Sequence, residues 1–305
     1  MKSRLLYLCL FVALGVICSQ CTKVEQSEKV TKKEVSIQLY SVRSLLDGVN
    51  KDGQPSSEYM DVLNKLAQMG YTSVEAANYA DGKFYGRSPE NFRKDVESTG
   101  MEVLSSHCSM LTAEELTSGD LTEALKWWDT CIADHKTAGM KYIVFPWLGV
   151  PETVKDLALY CRYFDEIGKR CKEAGILFGY HNHAHEFQKV EDKEVMYDYM
   201  LQHTNPEYVF FQMDVYWTVR GQNSPVDYFH QYPGRFKMLH IKDHREIGQS
   251  GMVGYDAIFG NTDVAGTQDL VAEIENYSTS DVLKSVKESL DYFLEAQFVK
   301  ASYRK

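Results

Sequence analysis

The stretch Ile176–Phe187, ILFGYHNHAHEF, decides the reading of this chain. Its first half is a short apolar run behind Gly175, the pattern of a fully buried parallel strand. Its second half packs His181, His183, His185 and Glu186 into six residues. A strand continued through His183 puts His181 and His183 on one side, because side chains alternate along a strand. Imidazoles and a carboxylate at the end of a buried strand are costly unless they meet a metal, a substrate or one another.

Outward from this stretch, apolar runs and amphipathic stretches alternate. Val35–Tyr40 (VSIQLY), Thr72–Ala76, Glu102–His107 and Lys141–Trp147 read as the four strands before it. Tyr208–Asp214 (YVFFQMD), Phe236–Lys242 (FKMLHIK) and Asp269–Glu275 read as the three after it. Between them, Met60, Leu63, Leu66 and Met69 carry helical spacing over Ser57–Met69, which Gly70 stops. Ser88 caps a helix with Pro89 in its first turn, running to Gly100. Thr112–Ala138, Pro151–Ala174, Glu194–His203, Val226–His230 and Ser280–Leu294 are also helical, whereas Gly-rich Gly248–Gln268 holds at most a short helix. Repeating β-then-α units imply parallel strands joined by right-handed crossovers. Eight such units predict an α/β fold, a single-domain (β/α)8 TIM barrel.

With 305 residues, 44% hydrophobic and 25% charged, the composition is that of an ordinary globular protein. A formal net charge of −10 argues against nucleic acid or an anionic membrane surface as the main partner. The first residues differ from the rest: Lys2 and Arg4 precede an apolar run from Leu5 to Ile17, too short to span a bilayer. This reads as a secretory signal over residues 1–21, of the lipoprotein type, with Cys21 as the lipidated residue. Residues 22–33 read as a polar tether and 34–305 as the barrel, giving a periplasmic or lipid-anchored protein. Of seven cysteines, Cys108, Cys131, Cys161 and Cys171 lie beyond the leader, without a CxxC pair that would mark a zinc knuckle or redox motif. Cys161 and Cys171, about 15 Å apart on one helix, cannot bridge each other. All four read as small buried apolar residues.

In such a barrel the chemistry sits at the C-terminal ends of the strands. Those ends carry Glu75, His107, Trp147, His181 and His183, Asp214, His240 and Lys242, and Glu273. His181, Asp214, His240 and Glu273, from the last four strands, form a mixed nitrogen and oxygen donor set that suits Mn, Co, Zn or Fe better than calcium. His183 or Glu186 could replace His181, and Glu275 could replace Glu273. Lys242 shares a face with His240, where a cation and imidazoles would disfavour its charge and suit it to acid/base work or to holding a substrate oxygen. Glu75, Trp147, Glu186 and Trp217 are candidates to line a substrate pocket. Arg87, within GKFYGRSP, could meet an anionic group but reads first as a solvated loop arginine.

The segments IQLYSVR, YTSVEAA, FYGRSPENFRK, EVLSSHCSM, GILFGYHNHAHEF, QMDVYW and HIKD occur in order and resemble signatures of the xylose isomerase-like TIM-barrel superfamily, the sugar phosphate isomerase/epimerase group, over Val35–Leu294. The resemblance implies a divalent metal (Mn, Co, Zn or Mg) on Asp214, His240 and Glu273. Epimerases of this family usually end strand five in a glutamate, where His181 stands here, so the chain looks more like YHNH and YHHH members, some of which are dehydratases. The expected activity is isomerisation or epimerisation of a sugar or keto-sugar through an enediolate. Glu273 or a strand-five histidine such as His183 would take the proton, and Lys242 or His107 would return it or stabilise the oxyanion. A dehydratase or hydratase is the alternative, and a non-catalytic sugar-binding lipoprotein is a reading of another class. A secreted chain without a Gly-rich phosphate cradle points to an unphosphorylated carbohydrate as its partner, with membrane contact only through a lipid on Cys21.

Overall fold

The computed structural model describes residues 32–46, 56–110 and 113–304. The expected signal, and the tether up to residue 31, lie outside these described residues. Eight strands form the framework: β1 (Ser36–Gln38), β2 (Ser73–Ala76), β3 (Glu102–His107), β4 (Tyr142–Phe145), β5 (Leu177–His181), β6 (Val209–Asp214), β7 (Met238–Lys242) and β8 (Asp269–Glu273). Each pairs in parallel with its sequence neighbour, and β1 pairs with β8 to close the ring. The expected TIM barrel is therefore the fold. Lys33, placed in the tether from sequence, already belongs to the barrel: its Nζ donates to the carbonyls of Phe293 and Ala296 at 2.8 and 2.6 Å.

The helices begin and end where local chemistry dictates. Ser56, Ser88, Thr153, Ser224 and Asp281 each accept a backbone N–H of the following first turn. Gly175 ends the 21-residue helix Val154–Ala174 at φ 81°, a conformation that suits glycine. The expected single helix over Thr112–Ala138 is two, Ala113–Ser118 and Thr122–Thr137, parted at Gly119 with φ 75°. The Gly-rich stretch 248–268 holds two short helices, Tyr255–Gly260 and Thr262–Ala265. β1 ends at Gln38 because Leu39–Val42 winds into a 3-10 turn, which leaves Tyr40 exposed rather than in the core. Arg87, expected in solvent, is buried with its Nε donating to Asp95 at 2.7 Å, because the hairpin Tyr79–Phe84 folds its loop onto helix Pro89–Ser98.

Alternation along each strand divides the core in two. One set, including Ile37, Val74, Ile143, Phe178, Phe211 and Leu239, packs with the helices. The other, Leu104, Tyr142, Val144, Phe210, Met238 and Val271, forms a separate apolar cluster inside the barrel. Gly179 makes room for it, since a Cβ there would stand 2.5 Å from the Phe210 ring. Above this plug the inward positions turn polar. Gly168 performs a similar service outside: an added Cβ would meet the Tyr208 carbonyl oxygen at 2.4 Å. Gly168→Ala should therefore destabilise the barrel by about 1–3 kcal/mol, although alanine is the better helix former. A lowered urea midpoint at unchanged m-value checks this.

Candidate active site

The polar layer is built by strand ends. His181 closes β5, Asp214 closes β6, His240 lies on β7, and Glu273 closes β8; all four are buried. One donor atom from each lies within 4.8 Å of the others. Register produces this convergence, since Gln212 pairs with His181, Asp214 with His240, and Lys242 with Glu273 across adjacent strands.

Asp214 does two things at once. Its side chain accepts the Trp217 N–H at 2.8 Å and so caps helix Val215–Arg220. The other carboxylate oxygen, Oδ2, is buried without a hydrogen-bond partner among the described residues. Burial, opposed by Lys242 and aided by Glu273, pushes this carboxyl up to about 7. A buried acceptor left open beside two imidazoles and a second carboxylate fits a cation, and the donor set is the one that sequence proposed.

Glu75 on β2 holds the imidazoles. His240 Nε2 lies 2.6 Å from Glu75 Oε1, while His240 Nδ1 faces Glu273 Oε2 at 3.3 Å. Burial alone would lower His240, but Glu75 and Glu273 together raise it to about 10. Burial would raise Glu75, yet His107 and His240 bring it down to about 2. Ser105 Oγ, Gln38 Nε2 and Gln212 Nε2 also donate to Glu75, at 2.7, 3.0 and 2.8 Å. Glu75, expected from sequence to line a substrate pocket, is fully enclosed and absent from the cavity wall, and its contacts are to imidazoles, amides and a hydroxyl. Carboxylates that hold the far nitrogen of a ligating histidine fix its tautomer and ring direction.

Lys242 also departs from expectation. Its Nζ lies 3.3 Å from Glu273 and 2.9 Å from Glu275. Burial would lower it, but Glu273, Asp214 and Glu275 raise it, the opposite direction from that expected of a neighbouring cation and imidazoles. Glu273 is held well below the usual range: burial opposes this, and Lys242 and His240 outweigh it. Burial keeps His181 and His107 neutral by lowering both, and Gln212 Oε1 sits between them at 3.1 and 2.7 Å.

A cavity of about 640 Å³ opens over this layer, lined by His107, His181, His183, Glu273, Glu275 and Trp147 among others. β5 stops at His181, so His183 lies just beyond the strand; the two rings nonetheless meet edge to face, 5.0 Å apart. His183 Nδ1 has no hydrogen-bond partner among the described residues, and burial brings the ring down to about 4. Glu186, a candidate for substrate contact, is instead a buried brace. It accepts from the Tyr180 hydroxyl and the His183 N–H, both at 2.8 Å, which fixes the turn carrying His183. Trp217 lines a neighbouring pocket with His183 and Arg220, not the main cavity. Trp147 stands 58% exposed at the cavity wall. Trp147→Ala should raise KM up to about tenfold, with kcat and melting temperature little changed. Gln38 and Gln212 were missed by the sequence reading, although each is a lone polar residue in an apolar run, VSIQLY and VFFQMD.

The family profile of the xylose isomerase-like TIM barrel matches residues 63–296. The chain belongs to that family. A crystal structure of a sugar phosphate isomerase/epimerase from Parabacteroides distasonis ATCC 8503 is 33% identical, with a TM-score of 0.78 over 88% of this chain and 100% of its own. An inosose dehydratase from Geobacillus kaustophilus (strain HTA426) is 24% identical over 200 residues, 60% of this chain and 61% of the relative's length. A structure of IOLI protein with a binding zinc atom shares the fold at 12% identity, with a TM-score of 0.63 over 87% of this chain and 98% of its own.

Proposed function

We propose that this chain is a metal-dependent isomerase or epimerase of an unphosphorylated sugar or keto-sugar, acting by removal of a proton beside a carbonyl. The observation that carries the reading is the meeting of His181, Asp214, His240 and Glu273 within 4.8 Å beneath a carbohydrate-sized cavity. Those four residues would hold a divalent ion, which when bound supplies Lewis acidity to a substrate carbonyl and neighbouring hydroxyl. His183, neutral at pH 7 and facing the cavity, takes the proton; Glu273, pinned by Lys242, is better suited to hold charge than to move it. His107, also neutral and on the cavity wall, returns the proton or donates to the developing oxyanion.

The cavity wall supports a substrate without phosphate. Among the described residues no lysine or arginine lines the cavity, and Glu273 and Glu275 do, so a dianionic phosphate would meet repulsion. The leader expected over residues 1–21 supports an extracytoplasmic setting, where free sugars and glycosides are the available substrates. Incubation with a keto-sugar panel in deuterated water tests the reaction: the expected product keeps the substrate's skeleton and gains one deuterium at the exchanged carbon. Turnover of sugar phosphates alone would overturn the substrate class. The match to an inosose dehydratase favours one second reading, a lyase, in which the same carbanion expels a β-hydroxyl. A product lighter by one water marks that outcome.

A further inference from the structure

Beside the main cavity, which Cys108 helps to line, the structure gathers His135 with Cys108 and Cys131, two residues read from sequence as small buried apolar side chains. Cys131 and His135 lie one turn apart on helix Thr122–Thr137, and Cys108 follows His107 at the end of β3. We propose that these three side chains form a second cation site, with ligands distinct from those at the mouth, for a thiophilic ion of which zinc is the best match.

Distances support it. The two sulfurs are 3.5 Å apart, and Cys108 Sγ lies 3.8 Å from His135 Nε2. Ligands at zinc's usual bond lengths stand about 3.5–3.8 Å from each other around a tetrahedron. Donor atoms of all three residues lie within 4.8 Å of one another. The imidazole is oriented for the task. His135 Nδ1 sits 2.6 Å from the Cys131 carbonyl oxygen, so Nδ1 carries the hydrogen and Nε2 keeps its lone pair. Cys131 and His135 are fully buried and Cys108 nearly so. The Tyr79 and Phe84 rings each sit 4.9 Å from the His135 ring. Nε2 of this buried imidazole faces the Cys108 sulfur, while the Cys131 sulfur lies 3.4 Å from Nδ1, so Cys131 would have to turn about its side-chain torsion to share an ion with Nε2.

Protonation agrees with the geometry. Burial would raise Cys108, but its side-chain contacts with Cys131 and His135 bring it down, while burial lifts Cys131 well above its ordinary value. Three protein donors leave the fourth tetrahedral position to a small exogenous donor. The two sites differ in kind: the mouth offers only nitrogen and oxygen, this one sulfur and nitrogen, so ions sort between them by softness. Cys108 adjoins His107, so an ion here would anchor the loop that carries part of the cavity wall.

Cobalt(II) titration of the reduced, chelator-stripped full chain tests this, because only thiolate ligands give a near-ultraviolet sulfur-to-cobalt band. The expected result is a band that saturates near one equivalent and is displaced by zinc. It should be lost in Cys131→Ser and in His135→Ala, both checked for folding by circular dichroism, and kept in Asp214→Asn. Cys131→Ala serves as a second variant if the serine destabilises the helix. No sulfur band at cobalt levels that fill the mouth would overturn the proposal. So would a band that survives Cys131→Ser and Cys131→Ala, a band lost in Asp214→Asn, or a Cys108–Cys131 disulfide that forms without binding any ion.

Discussion

Asp214→Asn should give a barrel that folds at least as well as the parent, holds no divalent ion at its mouth, and turns over on the order of a thousand-fold more slowly. Asparagine caps a helix as well as aspartate does, so the bond to the Trp217 N–H, 2.8 Å in the parent, survives. Only Oδ2 changes in kind, from a buried open acceptor to an NH2 group that cannot ligate a cation. Losing the ion's share of transition-state stabilisation, about 4 kcal/mol, corresponds to that thousand-fold loss. Stability moves the other way. An acid raised from 3.8 to about 7 favours its neutral form in the fold, so its contribution is present below 3.8 and lost as pH rises to about 7. Above that, the metal-free parent carries a buried anion that the amide variant lacks. Without ion, the variant should melt at or above the parent at pH 8. Added ion at a hundred times its Kd should stabilise the parent alone, by about 2.7 kcal/mol. Elemental analysis, melting curves with and without chelator, and kcat/KM check the three parts. A variant that keeps its ion would remove Asp214 from the ligand set.

Much of this site was legible because a strand has period two. Once one residue of a strand is set inward, parity fixes the others on that strand: Ser36 goes with Gln38, Ser73 with Glu75, Gln212 with Asp214, and His240 with Lys242. Polar residues at such positions, within runs that are otherwise apolar, announce a polar layer above an apolar plug. What parity cannot give is who meets whom across the ring. Glu75 and His240 are 165 residues apart in sequence and sit on strands that are not paired, yet they make a 2.6 Å contact. Glu75 therefore looked like a substrate ligand until closure showed it locked inside. The direction of the Lys242 shift was misjudged for a related reason. Its near neighbours in sequence suggested imidazoles and a cation, whereas β8 brings Glu273 and Glu275 against it and reverses the sign of its shift. Glu186 was ambiguous because a turn has no parity: only its bonds to Tyr180 and the His183 N–H show it to be a brace. The sulfur cluster was invisible in spacing, since Cys108 joins Cys131 and His135 only when β3 packs beside its crossover helix.

Glu75→Gln should weaken ion binding at the mouth by about 10–100-fold and cost about 3–5 kcal/mol of stability, although residue 75 touches neither ion nor substrate. The amide keeps the shape and can still accept one hydrogen bond, but the charge that holds His240 is gone, leaving a buried imidazole beside Glu273 alone. The pH dependence separates this from a general packing defect. His240, a base raised from 6.5 to about 10, contributes stability that is fully present below pH 6.5 and lost as pH rises to about 10. Glu75, an acid lowered from 4.5 to about 2, contributes stability present above 4.5 and lost as pH falls to about 2. Without ion, the pair therefore supports the parent most between pH 4.5 and 6.5. Melting temperature of the chelated parent should fall from pH 6.5 towards 10, and Glu75→Gln should flatten that fall. Kinetics supply the second discriminator. A residue that only orients a ligand leaves the ligand in place, so excess ion should restore most of the kcat of Glu75→Gln and none of that of Asp214→Asn. Equal rescue of both variants, or of neither, would contradict the assignment of Glu75 as the carboxylate that positions His240.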